Sequence, residues 1–310
     1  MQLQQLAYFV TVAETRHFTH AAELMRVAQP SLSKQIRALE RELGSPLFSR
    51  ARGNITLTPA GEALLPLAQR ILADVDTARL EVQELAGLRS GRVRLGATPS
   101  LCGGLVADVL ARFHATYPGV ALHVEEGGSR DLVRHLTHGE LDMALVILPL
   151  HQGETALDAT PILRENLVVA SASDGPAPAR GRHMRISGLR EHSLVMFRSG
   201  YDLRDVTLAA CRQAGFEPTF SVEGGEMDAV LRFVEAGLGL AVAPSMVLEG
   251  RPGLRGTPLT PPGLRRTIGL ANRRDVAPTH AARAFRTSLL DFIAEAADTG
   301  ALPPGVHPID

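Results

Sequence analysis

The stretch from residue 18 to residue 43, FTHAAELMRVAQPSLSKQIRALEREL, constrains the fold more than any other part of the chain. It contains two short helical patterns, and Pro30 separates them because proline cannot continue a helix interior but is well placed at a helix start. The second pattern has an apolar face at helical spacing, formed by Leu32, Ile36, Leu39 and Leu43. Two helices joined by a tight turn, the second polar and basic on its outer face, predict a helix-turn-helix.

The outer face of the second helix has side chains suited to DNA. Ser31, Ser33, Lys34 and Arg37 are of the types that hydrogen-bond phosphates and base edges in the major groove. Residues 26–52 contain six bases against two acids, a local charge of +4 in a chain whose formal net charge is −1. Taken alone, these residues fit an ordinary helical hairpin with a solvated face equally well.

The segment that follows favours the DNA-binding interpretation over an ordinary helical hairpin. Short apolar pieces at residues 47–48 and 55–57 flank a basic turn with Arg50 and Arg52, which predicts a β-wing that reaches phosphates or the minor groove.

A long helix is then predicted from Pro59 to about Leu88, and apolar residues recur along it every three or four positions. This seam consists of Leu64, Leu67, Ile71, Val75, Ala78 and Val82. We interpret it as a dimer-forming coiled coil, since little else in the N-terminal segment is available to cover it. The alternative is a long helix packed on its own domain. A dimer would present two reading helices to a palindromic site.

Composition excludes several classes of protein. A chain of 310 residues predicts two or three domains, and 45% hydrophobic with 21% charged residues is typical of globular proteins. No apolar run approaches the ~18 residues of a membrane span, and the N-terminus does not resemble a signal peptide, so we expect a cytoplasmic protein without membrane contact. Cys102 and Cys211 are too few for a disulfide framework. We found no metal-ligand spacing, nucleophile elbow, P-loop or Rossmann fingerprint, and expect no metal, cofactor or catalytic residue.

Beyond residue 91 the predicted strands alternate with helices, which indicates a parallel sheet covered by helices. The chain crosses into a second unit near residue 163 and returns near residue 266. The predicted domains are a DNA-binding domain (1–58), a linker helix (59–90), an effector domain (91–297) and a flexible tail (298–310). Within the effector domain, lobe 1 comprises residues 91–163 and 266–297, and lobe 2 comprises residues 164–265.

Three loops of the effector domain follow strands and precede helices, where small ligands collect in α/β proteins. Helix N-termini favour a carboxylate or another anion. The candidate residues are Thr98, Ser100, Leu101, Gly128, Ser129, Phe197, Arg198, Ser199 and Tyr201. Ser100 and Ser129 fit a role as simple helix caps equally well, and Arg198 fits an ordinary exposed arginine. The convergence of three loops favours a binding site.

Residues Leu3 to Gly61 resemble the winged helix-turn-helix of the LysR-type transcriptional regulators. The matching residues are Leu6, Phe9, Ala21-Ala22, Leu24, Gln29-Pro30-Ser31-Leu32-Ser33, Ile36, Leu39-Glu40, Leu43-Gly44, Leu47-Phe48, Arg50 and Leu57-Thr58-Pro59-Ala60-Gly61. A looser match continues to about Glu295. The resemblance implies that Gln29, Pro30, Ser31, Ser33, Lys34 and Arg37 lie at or near DNA, with Arg50 and Arg52 on its backbone. It also implies that Thr98, Ser100, Ser129 and residues 197–201 contact an effector.

The predicted fold is therefore α/β with an N-terminal winged helix-turn-helix, a long linker helix and a two-lobe periplasmic-binding-protein-like effector domain. The predicted function is a homo-oligomeric regulator, dimeric through the linker helix and tetrameric by resemblance, that binds an interrupted palindrome near a promoter. Its expected further partners are a small anionic effector between the lobes and RNA polymerase. The rivals are an enzyme or small-solute-binding protein on the same lobes, and an architectural DNA binder with an empty cleft. A redox switch is disfavoured because Cys102 and Cys211 are far apart in sequence, whereas peroxide-sensing members of the family carry a close pair in the second lobe.

Overall fold

The computed structural model describes residues 1–49, 55–84, 91–150 and 156–309. The chain divides into two compact units. The first comprises Met1–Leu85 with His135–Glu140, and the second comprises Ala86–Arg134 with Leu141–Asp310. Within the described ranges, no helix is both long enough and apolar enough to cross a membrane.

The first unit contains the predicted winged helix-turn-helix. Its elements are α1 (Leu3–Thr15), α2 (Phe18–Leu24), α3 (Gln29–Leu43), β1 (Phe48–Ser49), β2 (Thr56–Leu57) and α4 (Pro59–Glu84). Strands β1 and β2 pair antiparallel, which confirms the two strands of the wing. The tip of the wing, with Arg50 and Arg52, lies outside the described residues.

The inward face of α3 anchors it to the core of this unit. Leu32, Ile36 and Leu39 are at most 1% exposed, as their spacing predicts. Leu43 was predicted on the same face, but it is 43% exposed because α3 ends there and the chain turns away at Gly44, which has a φ of +71°. The core leaves the other face of α3 open.

The second unit alternates strands and helices, as predicted. Its elements are β3 (Gly91–Ala97), α5 (Pro99–Leu101), α6 (Ala107–Thr116), β4 (Val120–Glu126), α7 (Ser129–Thr137), β5 (Met143–Leu148), β6 (Leu157–Ala172), β7 (Ser193–Met196), α8 (Asp202–Gln213), β8 (Thr219–Glu223), α9 (Met227–Glu235), β9 (Ala241–Pro244), β10 (Leu254–Pro258), β11 (Leu264–Arg273), α10 (His280–Thr299) and β12 (Val306–Pro308). A π-helical turn, Cys102–Val106, joins α5 to α6, and 3-10 turns lie at Ile186–Glu191 and Ser245–Leu248.

The main sheet has the order β10-β6-β11-β5-β3-β4, and the long strands β6 and β11 carry the chain between the lobes. β3 pairs parallel with β4 and β5, whereas β11 pairs antiparallel with β5 and β6. Each lobe has its own hydrophobic core. Phe113 and Phe285 are fully buried in the core of lobe 1, and Leu194 and Val230 are fully buried in that of lobe 2. Two cores joined by crossing strands confirm the two-lobe architecture.

The C-terminal residues correct one prediction. Residues 298–310 were expected to form a flexible tail, but α10 continues to Thr299 and residues 306–308 form β12. β12 pairs antiparallel with residues Leu163–Glu165 of β6, and Val306 is 4% exposed in the lobe 1 core. The proline and glycine content suggested disorder, but the edge of β6 provides main-chain hydrogen bonds and the core provides a site for Val306. Strand β10 (Leu254–Pro258) was likewise not predicted from the sequence.

Candidate functional site

The outer face of α3 presents polar and basic side chains to solvent. Gln29, Pro30, Ser31, Lys34 and Arg37 are all exposed, as predicted for a face that meets a ligand. A shallow concavity of about 950 Å³ runs along this face.

Two residues of this face have supporting contacts that the sequence did not reveal. Ser33 was predicted on the open face, but it is 4% exposed, and its hydroxyl lies 3.5 Å from Nη2 of Arg37, which donates to it. Ser33 thus holds Arg37 one helical turn away, as expected for side chains four residues apart on a helix. Glu40, an acidic residue on the same helix, accepts a hydrogen bond from the Leu47 amide at 2.8 Å and so ties α3 to the wing.

The predicted seam of α4 is only partly open. Leu64 and Ile71 pack against the core of their own unit, and Val75 is half-buried. Leu67 and Val82 are 55% and 69% exposed, and Ala78 is also exposed. Part of the seam therefore stabilises the protomer, as the alternative interpretation required, while the part marked by Leu67 and Val82 is uncovered in the protomer.

The cleft between the lobes of the second unit brings together residues from the three predicted loops. Thr98 precedes α5, Gly128 precedes α7 and Tyr201 precedes α8, and all three line one cavity. The remaining lining residues are Ile147, Leu167, Asp202, Leu203, Val206 and Arg266. The cavity holds only about 20 Å³, roughly the space of one water molecule. The cleft is therefore closed in this structure, and residues next to the starts of α5, α7 and α8 line it.

Arg266 is a buried cation of the cleft that the sequence analysis did not predict. It is 7% exposed on β11, and its Nη2 donates to Ser100 Oγ at 2.9 Å. Its Nε donates to Glu165 Oε2 at 2.7 Å, and Glu165 is fully buried and also accepts from the Met246 amide at 2.9 Å. The carboxylate of Glu165 thus balances the positive charge of the buried guanidinium, because a charge removed from water must be paired. Ser100, which was a candidate effector residue, lies behind Arg266 and positions it.

Tyr201 has a buried hydroxyl without a hydrogen-bond partner among the described residues. Its ring stacks on Phe197 with centroids 4.8 Å apart, and the residue is 6% exposed. Burial raises the pKa of the phenol, so the group stays protonated and can donate. A buried donor left unpaired costs about 1–3 kcal/mol, which a ligand oxygen in the cavity would recover.

A hydrogen bond ties the two lobes together across the cleft. Ser129 Oγ in lobe 1 donates to Asp202 Oδ2 in lobe 2 at 2.7 Å. The same oxygen accepts a hydrogen bond from the Ile147 amide at 3.1 Å. Ser129 is 6% exposed, so this contact is shielded from water. Nearer the surface, Arg130 and Asp205 form an exposed ion pair at 3.4 Å. Asp202 was not predicted to belong to the site.

Six of the nine predicted effector residues do not line the cavity; they are Ser100, Leu101, Ser129, Phe197, Arg198 and Ser199. Leu101 is fully buried in the core of lobe 1, and Phe197 lies beneath Tyr201. Arg198 donates from Nε to Glu226 at 2.7 Å, and Ser199 beside it is exposed. In the part of the chain that the structure describes, no group of three His, Cys, Asp or Glu side chains could hold a metal ion.

Comparison with known proteins finds family matches for both parts of the chain. Residues 3–62 match the family model "Bacterial regulatory helix-turn-helix protein, lysR family", and residues 86–294 match "LysR substrate binding domain". The transcriptional dual regulator GltC of Bacillus subtilis is 31% identical over 283 residues, covering 90% of this chain and 94% of that protein. The DNA-binding transcriptional dual regulator OxyR of Escherichia coli is 30% identical over 276 residues, covering 88% and 90%.

Solved structures show the same arrangement of elements. A full-length variant of OxyR from Pseudomonas aeruginosa superposes with a TM-score of 0.71 at 29% identity and covers 94% of each chain. CbnR, a LysR family transcriptional regulator, has a TM-score of 0.70 at 22% identity and covers 93% of this chain and 98% of its own, a likeness that concerns the fold alone.

Proposed function

This chain belongs to the LysR family of transcriptional regulators, and we propose that its DNA binding is controlled by a small anionic effector that enters the cleft between the two lobes. The unpartnered hydroxyl of Tyr201, a residue that lines the same cavity as Arg266, carries this proposal. Both groups donate hydrogen bonds, and a ligand carboxylate accepts them. The N-termini of α5, α7 and α8 add positive partial charge at the same place.

Effector binding requires the cleft to open. A cavity of about 20 Å³ admits nothing larger than water, and the Asp202 carboxylate already accepts the hydrogen bond of Ser129. An anionic effector competes with Asp202 for this donor and so favours separation of the lobes. The effector shifts the equilibrium only by its difference in affinity for the open and closed forms.

The DNA-binding part of the proposal concerns α3 and α4. Lys34 and Arg37 of α3 would contact the major groove, and pairing of two α4 helices would place two α3 helices on an interrupted palindrome near a promoter. RNA polymerase and a second dimer are the further partners we propose, and a place in the cytoplasm follows from binding chromosomal DNA. The rival functions, an enzyme or a solute binder on the same lobes, leave the basic face of α3 without a role.

Tyr201→Phe tests the effector site. We expect it to weaken effector binding by about tenfold, since one hydrogen bond to a charged group is lost. The melting temperature of the ligand-free protein should rise rather than fall, because the buried hydroxyl has no partner in the closed protein and its removal relieves that cost. A thermal-shift screen of small mono- and dicarboxylates identifies the ligand, and calorimetry then measures its affinity. Tyr117→Phe, in lobe 1, is the matched control. Equal affinities of the two variants would place the ligand elsewhere.

A peroxide response is not part of the proposed function, although one relative is named a hydrogen peroxide-inducible genes activator. Burial, with a smaller contribution from Glu126, raises the pKa of the Cys102 thiol to about 11. Burial, aided by Glu217, raises the pKa of the Cys211 thiol to about 11 as well. The two thiols belong to the cores of different lobes.

Peroxide is therefore expected to leave both thiols reduced at neutral pH. With a pKa of about 11, roughly one thiol in ten thousand is ionised at pH 7, and only the thiolate reacts readily. After treatment with hydrogen peroxide, a thiol titration of the unfolded protein should still find two free thiols per chain, and operator affinity should not change. Loss of one thiol together with altered DNA binding would instead support a redox switch.

A further inference from the structure

A second cavity, here called the back cavity, lies on the strands that connect the two lobes. It holds about 580 Å³ and is formed by β6, the β10–β11 hairpin, the 3-10 turn Ser245–Leu248 and the C-terminal Pro304-Gly305. Its volume falls within the range of roughly 300–1,000 Å³ typical of small-molecule sites. It is far larger than the closed cleft between the lobes.

The register of β6 and β11 places one residue pair at the back cavity and the adjacent pair at the cleft, and Leu167 of β6 lines both cavities. Arg266 pairs opposite Glu165, and both are buried at the cleft side. The adjacent pair is Arg265 opposite Asn166, and both line the back cavity. Successive side chains of a strand point to opposite faces, so the two pairs point in opposite directions. A ligand in the back cavity would therefore contact the strands that connect the two lobes.

One end of the back cavity is polar. Asn166 lies opposite Arg265 in the sheet. A Cβ atom built on Gly305 would lie 2.8 Å from Ser245 Oγ and 3.4 Å from Asn166 Cβ, so Ser245, Asn166 and Arg265 gather at the same end. Gly305 has a φ of +82°, and a side chain there would separate these groups.

The hydroxyl of Ser245 is buried and has no hydrogen-bond partner among the described residues. Arg265 is exposed, and it forms no ion pair within the described ranges. A hydroxyl donor and a cation at one end of a cavity are the groups that recognise a carboxylate. The remainder of the lining is largely apolar and includes Val168, Leu248 and Leu254.

We propose that the back cavity is a second ligand site, which takes an amphipathic organic acid. The apolar body of the ligand packs on Val168, Leu248 and Leu254, and its carboxylate accepts a hydrogen bond from Ser245 Oγ in the field of Arg265. This site goes beyond the proposed function, which concerns the cleft, and the two sites differ in every polar group.

The test uses the full-length protein and 4-phenylbutyrate as the probe, with affinity measured by calorimetry. Ser245→Ala and Arg265→Ala are each expected to weaken binding by between about twofold and tenfold, the loss of one hydrogen bond or of one charge contact. Ser171→Ala is the matched control, because Ser171 on β6 also has a buried, unpartnered hydroxyl but lies outside both cavities. It should leave the affinity unchanged.

Two further arms separate the back cavity from the cleft. The neutral analogue 4-phenylbutan-1-ol should bind more weakly than the acid, because it does not benefit from Arg265. Tyr201→Phe should not change the affinity for the probe, since Tyr201 lines the cleft cavity and not the back cavity. The inference is overturned if the probe shows no saturable binding, if Ser245→Ala behaves like Ser171→Ala, or if Tyr201→Phe is the variant that weakens it.

Discussion

Replacement of both Lys34 and Arg37 by alanine is expected to weaken binding to the protein's own operator by about 10²–10⁴-fold, since each contact to a base or phosphate contributes about 1–3 kcal/mol. Both side chains are exposed on α3, so their removal exposes no core and should leave the melting temperature unchanged. The operator is first selected from genomic fragments at moderate ionic strength, and the affinity is then measured at several salt concentrations. The slope of affinity against salt should become shallower, because fewer counterions are released.

The matched control removes two positive charges elsewhere. Arg212 and Arg232 lie in lobe 2, are 62% and 69% exposed, and form only surface ion pairs with Glu217 and Glu235. Their double alanine variant has the same net charge as the α3 variant and should bind the operator like the unchanged protein. If the two double variants bind equally, α3 does not read DNA and long-range charge accounts for the binding.

A chemical observation checks the same surface without mutation. Lys34 is the only lysine in the sequence, so an amine-modifying reagent has one side-chain target besides the N-terminus. Operator DNA should protect Lys34 from modification, while DNA of unrelated sequence should protect it less at the same salt concentration. Mass spectrometry of the peptide with residue 34 measures this protection.

The sequence predicted those parts of the sites that depend on local pattern. The inward face of α3 follows from apolar spacing, and three residues of that face are at most 1% exposed. The loops at Thr98, Gly128 and Tyr201 follow from a strand end and a helix start, and they meet at one cavity. Leu43 was misplaced because spacing alone does not show where the core ends.

The parts that depend on distant pairing could not be predicted. Arg266 and Glu165 are 101 residues apart, and their burial arises only when β11 pairs with β6 in one register. In the sequence, Arg265 and Arg266 are two adjacent arginines, yet one is exposed and the other is 7% exposed. Asp202 likewise resembled a helix-starting acid, and only the closed lobes bring its carboxylate to Ser129.

The structure indicates which residues of α4 should test the dimer. Ile71 packs on the core of its own unit, so a charge there would unfold the protomer as well as disturb any pairing. Leu67 and Val82 are 55% and 69% exposed in the protomer, and a charge at either position costs the isolated chain little. If α4 forms the dimer, a charge at either position should strongly destabilise the dimer, because both side chains would be buried against their counterparts in the second subunit.

The double variant Leu67→Glu with Val82→Glu is therefore expected to sediment as a monomer with unchanged helix content, and to lose operator affinity by on the order of 10²-fold or more, because two linked half-sites bind far more tightly than one. Asp76→Lys is the control, since Asp76 lies about two and a half turns from Leu67, on the opposite side of α4, and is 53% exposed in a surface ion pair with Arg79. It should remain dimeric and bind normally. If the double variant keeps the mass of the unchanged protein, α4 does not join the subunits, and the two reading helices must be brought to the palindrome by a different surface.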